Sequence, residues 1–529
     1  MADTPTATVS AWTPFRYRAF SLLWAATLIS NVGTWMHEVG AGWLMTTLSP
    51  SPAVVSLVQA ATTLPVFLFA LLAGTLADRL DKRKMLIVIN LMLMVVVSTL
   101  TVIVHFGLMT PTLLILFTLV IGTGSAFMAP AWQSIVPGLV PREALQPAIA
   151  LNSMGVNISR AIGPALAGLL IAVAGLASPF AINALSFVAI LVSLFLWKNE
   201  ETPTVTHQPI WGAMLTGVRH VRHNDALKAT LIRAVAFFLF ASAYWALLPI
   251  VARNTRGGGA ELYGFLLTLI GAGAVTGALV LSRIRAMFDS NRMAQIGTVG
   301  TAGALALMAL AADPVSASVA AFIGGFSWIS VLTTFNVSAQ TALPNWIRAR
   351  GLSVYLMVFF GSMALGSLIW GQVATYTSPA VALITAAVGS LVCIPLTRRF
   401  HLGQGEGRDL TPSMHWPAPP LAIDSDDIND RGPVLITVTY QVTEENVADF
   451  RALMQEWSKE RMRDGAFEWN LYQSAESPEL WIEAFRVPSW EEHLAHHGRV
   501  SHEDAVMQDK VHALDTTEGG PVVRHYIAP

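Results

Sequence analysis

Twelve long apolar runs, separated by short polar loops, constrain this chain more than any other feature. A helix needs about twenty mainly apolar residues to cross the hydrocarbon core of a bilayer. Runs of that kind fall near 20–47, 53–76, 84–105, 112–136, 144–173, 179–197, 227–250, 261–282, 293–312, 316–340, 347–376 and 379–397. In lipid the backbone must satisfy its own hydrogen bonds, so each run reads as a transmembrane helix. Composition agrees, because 53% of the 529 residues are hydrophobic and only 12% are charged, too little charge for a soluble chain of this length. The first run is too long for a cleavable signal peptide and lacks its small-residue cleavage site, so it is expected to stay as the first span. Cys393 is the only cysteine, which excludes an intramolecular disulfide and a CxxC redox pair.

Loop charges set the expected orientation, since Lys and Arg are retained on the cytoplasmic side of short loops. They cluster in alternate loops, at Arg16 and Arg18, Arg79 to Lys84, Arg142, Lys198 to Arg222, Arg283 to Arg292, Arg348 and Arg350, and Arg398 and Arg399. The N-terminus, the middle loop and the C-terminal part are therefore expected in the cytoplasm, in a cell (inner) membrane protein. The spans divide into an N-terminal six-helix bundle (1–197), a polar connector (198–226) and a C-terminal six-helix bundle (227–400). A weak internal repeat supports two halves: at a shift of about 203 residues Gly74 falls on Gly277, Pro141 on Pro344, Gly163 on Gly366 and Gly168 on Gly371.

After the last span, 401–432 reads as a flexible linker from Pro417-Ala418-Pro419-Pro420 and Asp424-Ser425-Asp426-Asp427. Residues 433–529 then regain order. Val434 to Tyr440 is a strand, and a helix opening at Thr443 carries Val447, Phe450, Leu453, Met454 and Trp457 on one face. Two alternating strands follow at 467–473 and 480–487, then helices at 490–497 and 502–514 and a strand at 522–527. The order β-α-β-β-α-β predicts a ferredoxin-like α+β domain. The fold class is thus an all-α polytopic membrane protein of twelve helices in two bundles, plus this small soluble domain.

The strongest motif is Gly74-Thr75-Leu76-Ala77-Asp78-Arg79-Leu80-Asp81-Lys82-Arg83-Lys84. It resembles the cytoplasmic loop motif GxxxDRxGRR of the major facilitator superfamily, with Asp81 where that pattern has its second glycine. Gly74 permits close helix contact, and Asp78, Arg79 and Arg83 are candidates for a cytoplasmic gate, with topology enforcement as the plainer reading of Lys82 to Lys84. Trp43-Leu44-Met45, Ser49 to Pro52, Leu64-Pro65, Arg142-Glu143 through Asn152, Asn157, Arg160 and Gly163-Pro164, and Gly217 to His220 extend the likeness to its enterobactin-exporter-like branch, the transmembrane secretion effectors. That resemblance implies a drug or siderophore exporter driven by protons. Gly155, Gly163, Pro164 and Gly168 are similar to the small-residue helix motif of antiporters. The C-terminal part resembles antibiotic-biosynthesis-monooxygenase-like domains, through its element order and Ser489-Trp490-Glu491-Glu492-His493, and such domains self-associate through their sheets. That likeness supplies no identifiable active residues.

Ionisable residues inside spans are functional candidates by default. Glu38 shares a helix face with Asn31 and Thr34, and His37 is a second titratable neighbour or an interface histidine. Arg160 lies mid-span with Asn157 one turn away, and Glu38 is the obvious acid for it in the first half. Trp132, Trp245, Asn336 and Gln340 are further cavity candidates, against ordinary packing and interhelical hydrogen bonding. His493 falls beside His497 at helical spacing, without a third ligand to complete a metal site. No Walker A pattern is present. The sequence therefore predicts an alternating-access exporter of small amphipathic or hydrophobic molecules, coupled to protons, with no cofactor, metal or nucleic acid. The rival readings are a bifunctional transporter-enzyme and a non-transporting membrane sensor or assembly factor.

Overall fold

The computed structural model describes residues 10–197, 210–413 and 431–528, and the side chains of Asp78, Arg79, Arg142, Ser282 and residues 210–216 lie outside that set. The first half forms α1 (Arg18–Leu48), α2 (Pro52–Arg79), α3 (Lys82–His105), α4 (Pro111–Ile135), α5 (Arg142–Ala174) and α6 (Ser178–Leu196). A shorter α7 (Ile210–His223) precedes α8 (Asp225–Asn254), α9 (Ala260–Arg285), α10 (Ser290–Leu310), α11 (Pro314–Thr341), α12 (Arg348–Tyr376) and α13 (Pro379–Leu396). These bounds match the twelve apolar runs to within a few residues. Among the described residues eleven helices, α2 to α6 and α8 to α13, are long and apolar enough to cross a membrane. The 31-residue α1 is diluted by Asn31, Thr34, His37 and Glu38, and it packs against α5 and α6 inside the first half.

The chain divides into two compact units. The first comprises Met1–His207, Leu231–Asn336 and Tyr355–Phe400; the second comprises Gln208–Thr230, Val337–Val354 and His401–Pro529. Within the first unit, one apolar core joins both halves at the end of the bundle where α1 finishes. It includes Val39, Leu44 and Met45 of α1, Leu247 and Val251 of α8, Tyr263 of α9 and Trp370 of α12. At the opposite end a separate core is built from first-half residues, among them Phe20, Ala77, Leu86, Ile135, Ala144 and Leu194.

The repeat read from sequence has a structural counterpart. A Cβ at Gly163 of α5 would lie 2.5 Å from Trp35 Cβ and 3.1 Å from the Val32 carbonyl of α1. Gly366, its repeat mate on α12, meets Ser242 and the Leu239 carbonyl of α8. Gly168 of α5 approaches Ala260 and Glu261 of α9, while its mate Gly371 approaches Ser56 and Ala53 of α2. In each pair, one glycine packs α5 or α12 inside its own half and the next packs it across the halves.

The second unit holds the predicted α+β domain. Strands β1 (Val434–Gln441), β2 (Glu468–Gln473), β3 (Leu480–Val487) and β4 (Val522–Ile527) form an antiparallel sheet in the order β2-β3-β1-β4. Helices α14 (Val447–Asp464), α15 (Trp490–His497) and α16 (His502–His512) complete the domain. Its core takes Val434, Ile436, Val438 and Tyr440 from β1, with Phe450, Met454 and Trp457 from α14, the alternation and helical stripe visible in the sequence. Buried inside is a closed ionic group. Arg461 Nε donates to Glu483 Oε1 at 3.0 Å, Trp469 Nε1 donates to the same oxygen at 2.9 Å, and Tyr440 Oη donates to Glu483 Oε2 at 3.2 Å. The guanidinium also stacks 4.7 Å from Trp457 and 4.5 Å from Phe485, so its charges are spent on one another.

The polar connector contains α7, which is helical although it carries little apolar length. The start of the linker is ordered within the second unit: Ser413 N donates to the Val500 carbonyl at 2.9 Å and His502 N to Thr411 O at 3.1 Å. Residues 414–430, the remainder of that expectation, lie outside the described residues.

In the last two turns of α14, burial and then the Asp504 and Asp464 carboxylates push the Glu460 carboxyl up to about 9, against the pull of Arg463. A carboxyl with a raised folded pKa gives its stabilisation below the unfolded value and loses it as pH climbs toward the folded one. The window here runs from the ordinary 4.5 to about 9. Glu460→Gln is therefore expected to stabilise the protein by about 1–2 kcal/mol at pH 8 and hardly at all at pH 4.5. Thermal unfolding at the two pH values checks this, and equal shifts at both would contradict it.

Candidate functional site

The candidate site forms where α1, α5 and α9 meet. Glu38 leaves α1 on the face that also carries Thr34 and Asn31, and its carboxyl is solvent-accessible although enclosed by protein. That combination marks a side chain lining an interior space. Arg160 of α5 faces the same region, close enough for the two charges to interact. No ion pair within 4.0 Å joins them; instead the guanidinium lies 5.3 Å over the Trp35 ring, and Arg160 Nε is buried without a hydrogen-bond partner. Tyr263 enters from α9 of the other half. It feels the Glu38 charge, stacks on Trp43 at 6.3 Å, and would place its hydroxyl 2.8 Å from a Cβ at Gly42. The site is therefore bounded by both halves.

Small residues make this approach possible. Gly155 packs on Trp24 of α1, whose indole Nε1 donates to the Leu151 carbonyl at 2.9 Å. Gly163 admits Trp35, and Gly168 lies under the start of α9. A side chain at Gly264 of α9 would collide with the Pro164 carbonyl and lie 3.1 Å from Gly168. Near the same end the Arg253 guanidinium of α8 donates to the Thr46 carbonyl of α1, and Ala53 N donates to Thr375 Oγ1 at 2.9 Å.

The remaining sequence candidates scatter. His37 turns to α6, where its buried ring meets Phe180 edge-on at 4.9 Å. Thr34 Oγ1 donates to Ser30 O at 3.0 Å, and Asn157 Nδ2 donates to Ser153 O at 2.9 Å, so both close on their own helices. Trp132 packs in the first-half core and Trp245 in the shared one, against Trp328 at 5.4 Å, so these two do not share a wall. Asn336 and Gln340 lie exposed on one face of α11. His493 and His497 do meet, Nε2 to Nε2, at 3.3 Å; among the described residues no group of three or more His, Cys, Asp or Glu could hold a metal ion.

In the loop motif, Gly74, Asp78 and Arg79 fall in the last two turns of α2, and the side chains of Asp78 and Arg79 lie outside the described residues. Asp81, the departure from the family pattern, caps α3 by accepting from Lys84 N at 3.1 Å. Arg83 Nε and Nη2 donate to the Leu194 and Phe195 carbonyls at 2.8 and 3.0 Å. A guanidinium at a helix C-terminus satisfies orphan carbonyls and complements the dipole. Arg83→Ala is thus expected to cost about 1 kcal/mol of stability, read as a lower unfolding temperature, with activity per molecule unchanged. A loss of activity at full stability would instead support a gating role.

Sequence reasoning missed Tyr263, Trp35 as the Arg160 platform, and Gly264. None belongs to a motif, and only the glycine crowding on α5 hinted at a partner helix.

The fold is that of known transporters. The crystal structure of the nucleoside transporter NupG superposes with a TM-score of 0.62 over 72% of this chain and 100% of that one, at 13% identity. A bacterial homologue of the lysosomal transporter Spinster, inward-facing and unoccupied, gives 0.56 over 73% and 96% at 15% identity. Among relatives, a staphyloferrin A transporter of Staphylococcus aureus is 25% identical over 65% of this chain and 87% of its own length. An enterobactin exporter of Shigella boydii is 24% identical over 71% and 89%, and the multidrug efflux pump Tap of Mycolicibacterium fortuitum 25% over 67% and 88%. The family model described as transmembrane secretion effector matches residues 9–529, nearly the whole chain. On that match the chain belongs to the transmembrane secretion effector family of major facilitator membrane transporters.

Proposed function

We propose that this transporter exports small amphipathic or hydrophobic molecules, of the drug or siderophore type, by alternating access coupled to proton antiport. The observation that carries the reading is Glu38, an accessible carboxyl enclosed between halves that must move relative to one another, with Arg160 and Tyr263 as neighbours. An intramembrane carboxyl is costly to keep unless it works. Protonation of Glu38 frees Arg160 from its charge, and substrate arrival favours proton release, so the two cargoes exchange on one group. The alternation of basic loops supports a cytoplasmic N-terminus, connector and C-terminal domain. In that orientation the shared core lies at the outer end, and the Asp78 and Arg79 loop would gate the cytoplasmic one. Self-association fits the sheet face away from the helices, where Tyr472 and Tyr526 are half exposed, with a second copy of the domain as partner.

The test is transport into inverted membrane vesicles of ethidium, a macrolide and enterobactin, with and without an acid-inside gradient. Uptake of at least one probe that collapses with a protonophore supports the reading. Uptake indifferent to the gradient removes the antiport, and no uptake of any probe removes the proposed substrate classes.

A further inference from the structure

The α+β domain does not hang free of its own unit. Helix α14 packs against α7, and three polar contacts pin the joint. Arg219 of α7 donates from Nη1 to the Gly465 carbonyl at 2.9 Å, just past the C-terminus of α14, where the dipole favours a cation. Lys459 of α14 pairs with Asp225, the first residue of α8, at 3.3 Å. Arg499 lies 4.4 Å over Trp346 in the loop between α11 and α12. That guanidinium is itself fixed, donating to Asp464 O at 2.9 Å and Glu492 Oε2 at 3.2 Å. Within the same unit these elements are also tied to one another: Asn224 Nδ2 donates to the Ala342 carbonyl at 2.8 Å and His220 meets Trp346 edge-on at 5.5 Å.

We propose that the C-terminal domain is a clasp that holds α7, the start of α8 and the α11–α12 loop in one arrangement, and that transport requires the clasp closed. Three of the helices it holds, α8, α11 and α12, run on as continuous helices into the transport unit. Their ends move as a set only if they are fixed to one another. A cleft of about 290 Å³ opens beside the joint between Lys459, Lys510, Arg408 and Pro344, next to the exposed Lys459–Asp225 pair. Contacts of this kind are individually weak and exposed ones are screened by salt, so the clasp is releasable, and a change in the domain reaches three transport helices.

The inference rests on the exporter reading for its activity readout. In full-length protein, Arg219→Glu with Lys459→Glu reverses two contacts at exposed or half-buried positions while leaving the domain core intact. Efflux of the transported probe from the vesicle panel should fall by about five-fold or more at equal membrane abundance. A second protein carries Arg219→Glu with Asp225→Cys and Lys459→Cys in a Cys393→Ser background. Bridging its two thiols with a bismaleimide should restore efflux to within about two-fold of the wild type. Unchanged efflux in the charge-reversed protein, or no recovery on bridging, overturns the proposal. If the wild type moves none of the probes, the exporter reading fails by itself. Amide exchange at residues 342–350 then decides the clasp: it must quicken in the charge-reversed protein, and equal exchange rejects the clasp.

Discussion

Glu38→Gln is expected to lower gradient-driven efflux by about ten-fold or more and to leave the residue of transport indifferent to pH. Glutamine keeps the shape and hydrogen-bonding capacity of the protonated acid but cannot release a proton, so under the proposed antiport the halves lose the charge change that would drive their exchange. Glu38→Asp should retain part of the activity. Arg160→Ala should behave differently, because it leaves a carboxylate without its compensating charge; the group then holds its proton too tightly and the efflux optimum moves to higher pH. Initial rates in inverted vesicles at several pH values separate these outcomes. Wild-type rates and pH dependence in Glu38→Gln would place the coupling group elsewhere.

Gly264→Val should be nearly as damaging through another route. No side chain fits at Gly264, which sits against the Pro164 carbonyl and Gly168, so valine wedges α9 away from α5 at the closed end of the bundle. Overpacking at such a contact costs about 1–3 kcal/mol. About 2 kcal/mol set against one conformation changes a two-state ratio by roughly thirty-fold, enough to empty it. Efflux should fall by about ten-fold or more while the protein stays folded. A cysteine placed at Ala260, which is buried in this conformation, should be labelled faster by an impermeant thiol reagent in a Cys393→Ser background. Unchanged labelling would show that the two halves do not separate at this contact. Gly371, the repeat mate of Gly168 across the halves, predicts the same behaviour for the α12–α2 contact.

The membrane helices were legible because lipid imposes a length and a composition that few other structures share, and α1 to α6 and α8 to α13 fall where the apolar runs lie. The α+β domain was legible for a different reason: Val434 to Tyr440 and Leu480 to Val487 alternate with period two, and Phe450, Met454 and Trp457 recur with helical period. What the sequence hid was contact across distance. Tyr263 lies more than two hundred residues from Glu38 and carries no motif. Arg83 sits in a recognisable loop pattern, yet its hydrogen bonds go to the end of α6, which no local pattern specifies. His37 is next to Glu38 in sequence and turns to Phe180, since adjacent residues on a helix point about 100° apart. α7 is a short helix in a polar stretch, stabilised by α14 from the far end of the chain, so its own sequence gives a weak signal.

Proton release on substrate binding tests the coupling account most directly. Purified protein in lightly buffered detergent solution, mixed with a probe that the vesicle assay shows to be transported, is followed with a pH indicator. The account predicts that binding liberates protons from the wild type and none from Glu38→Gln, with probe binding retained in both. Equal proton release from the two proteins would contradict it.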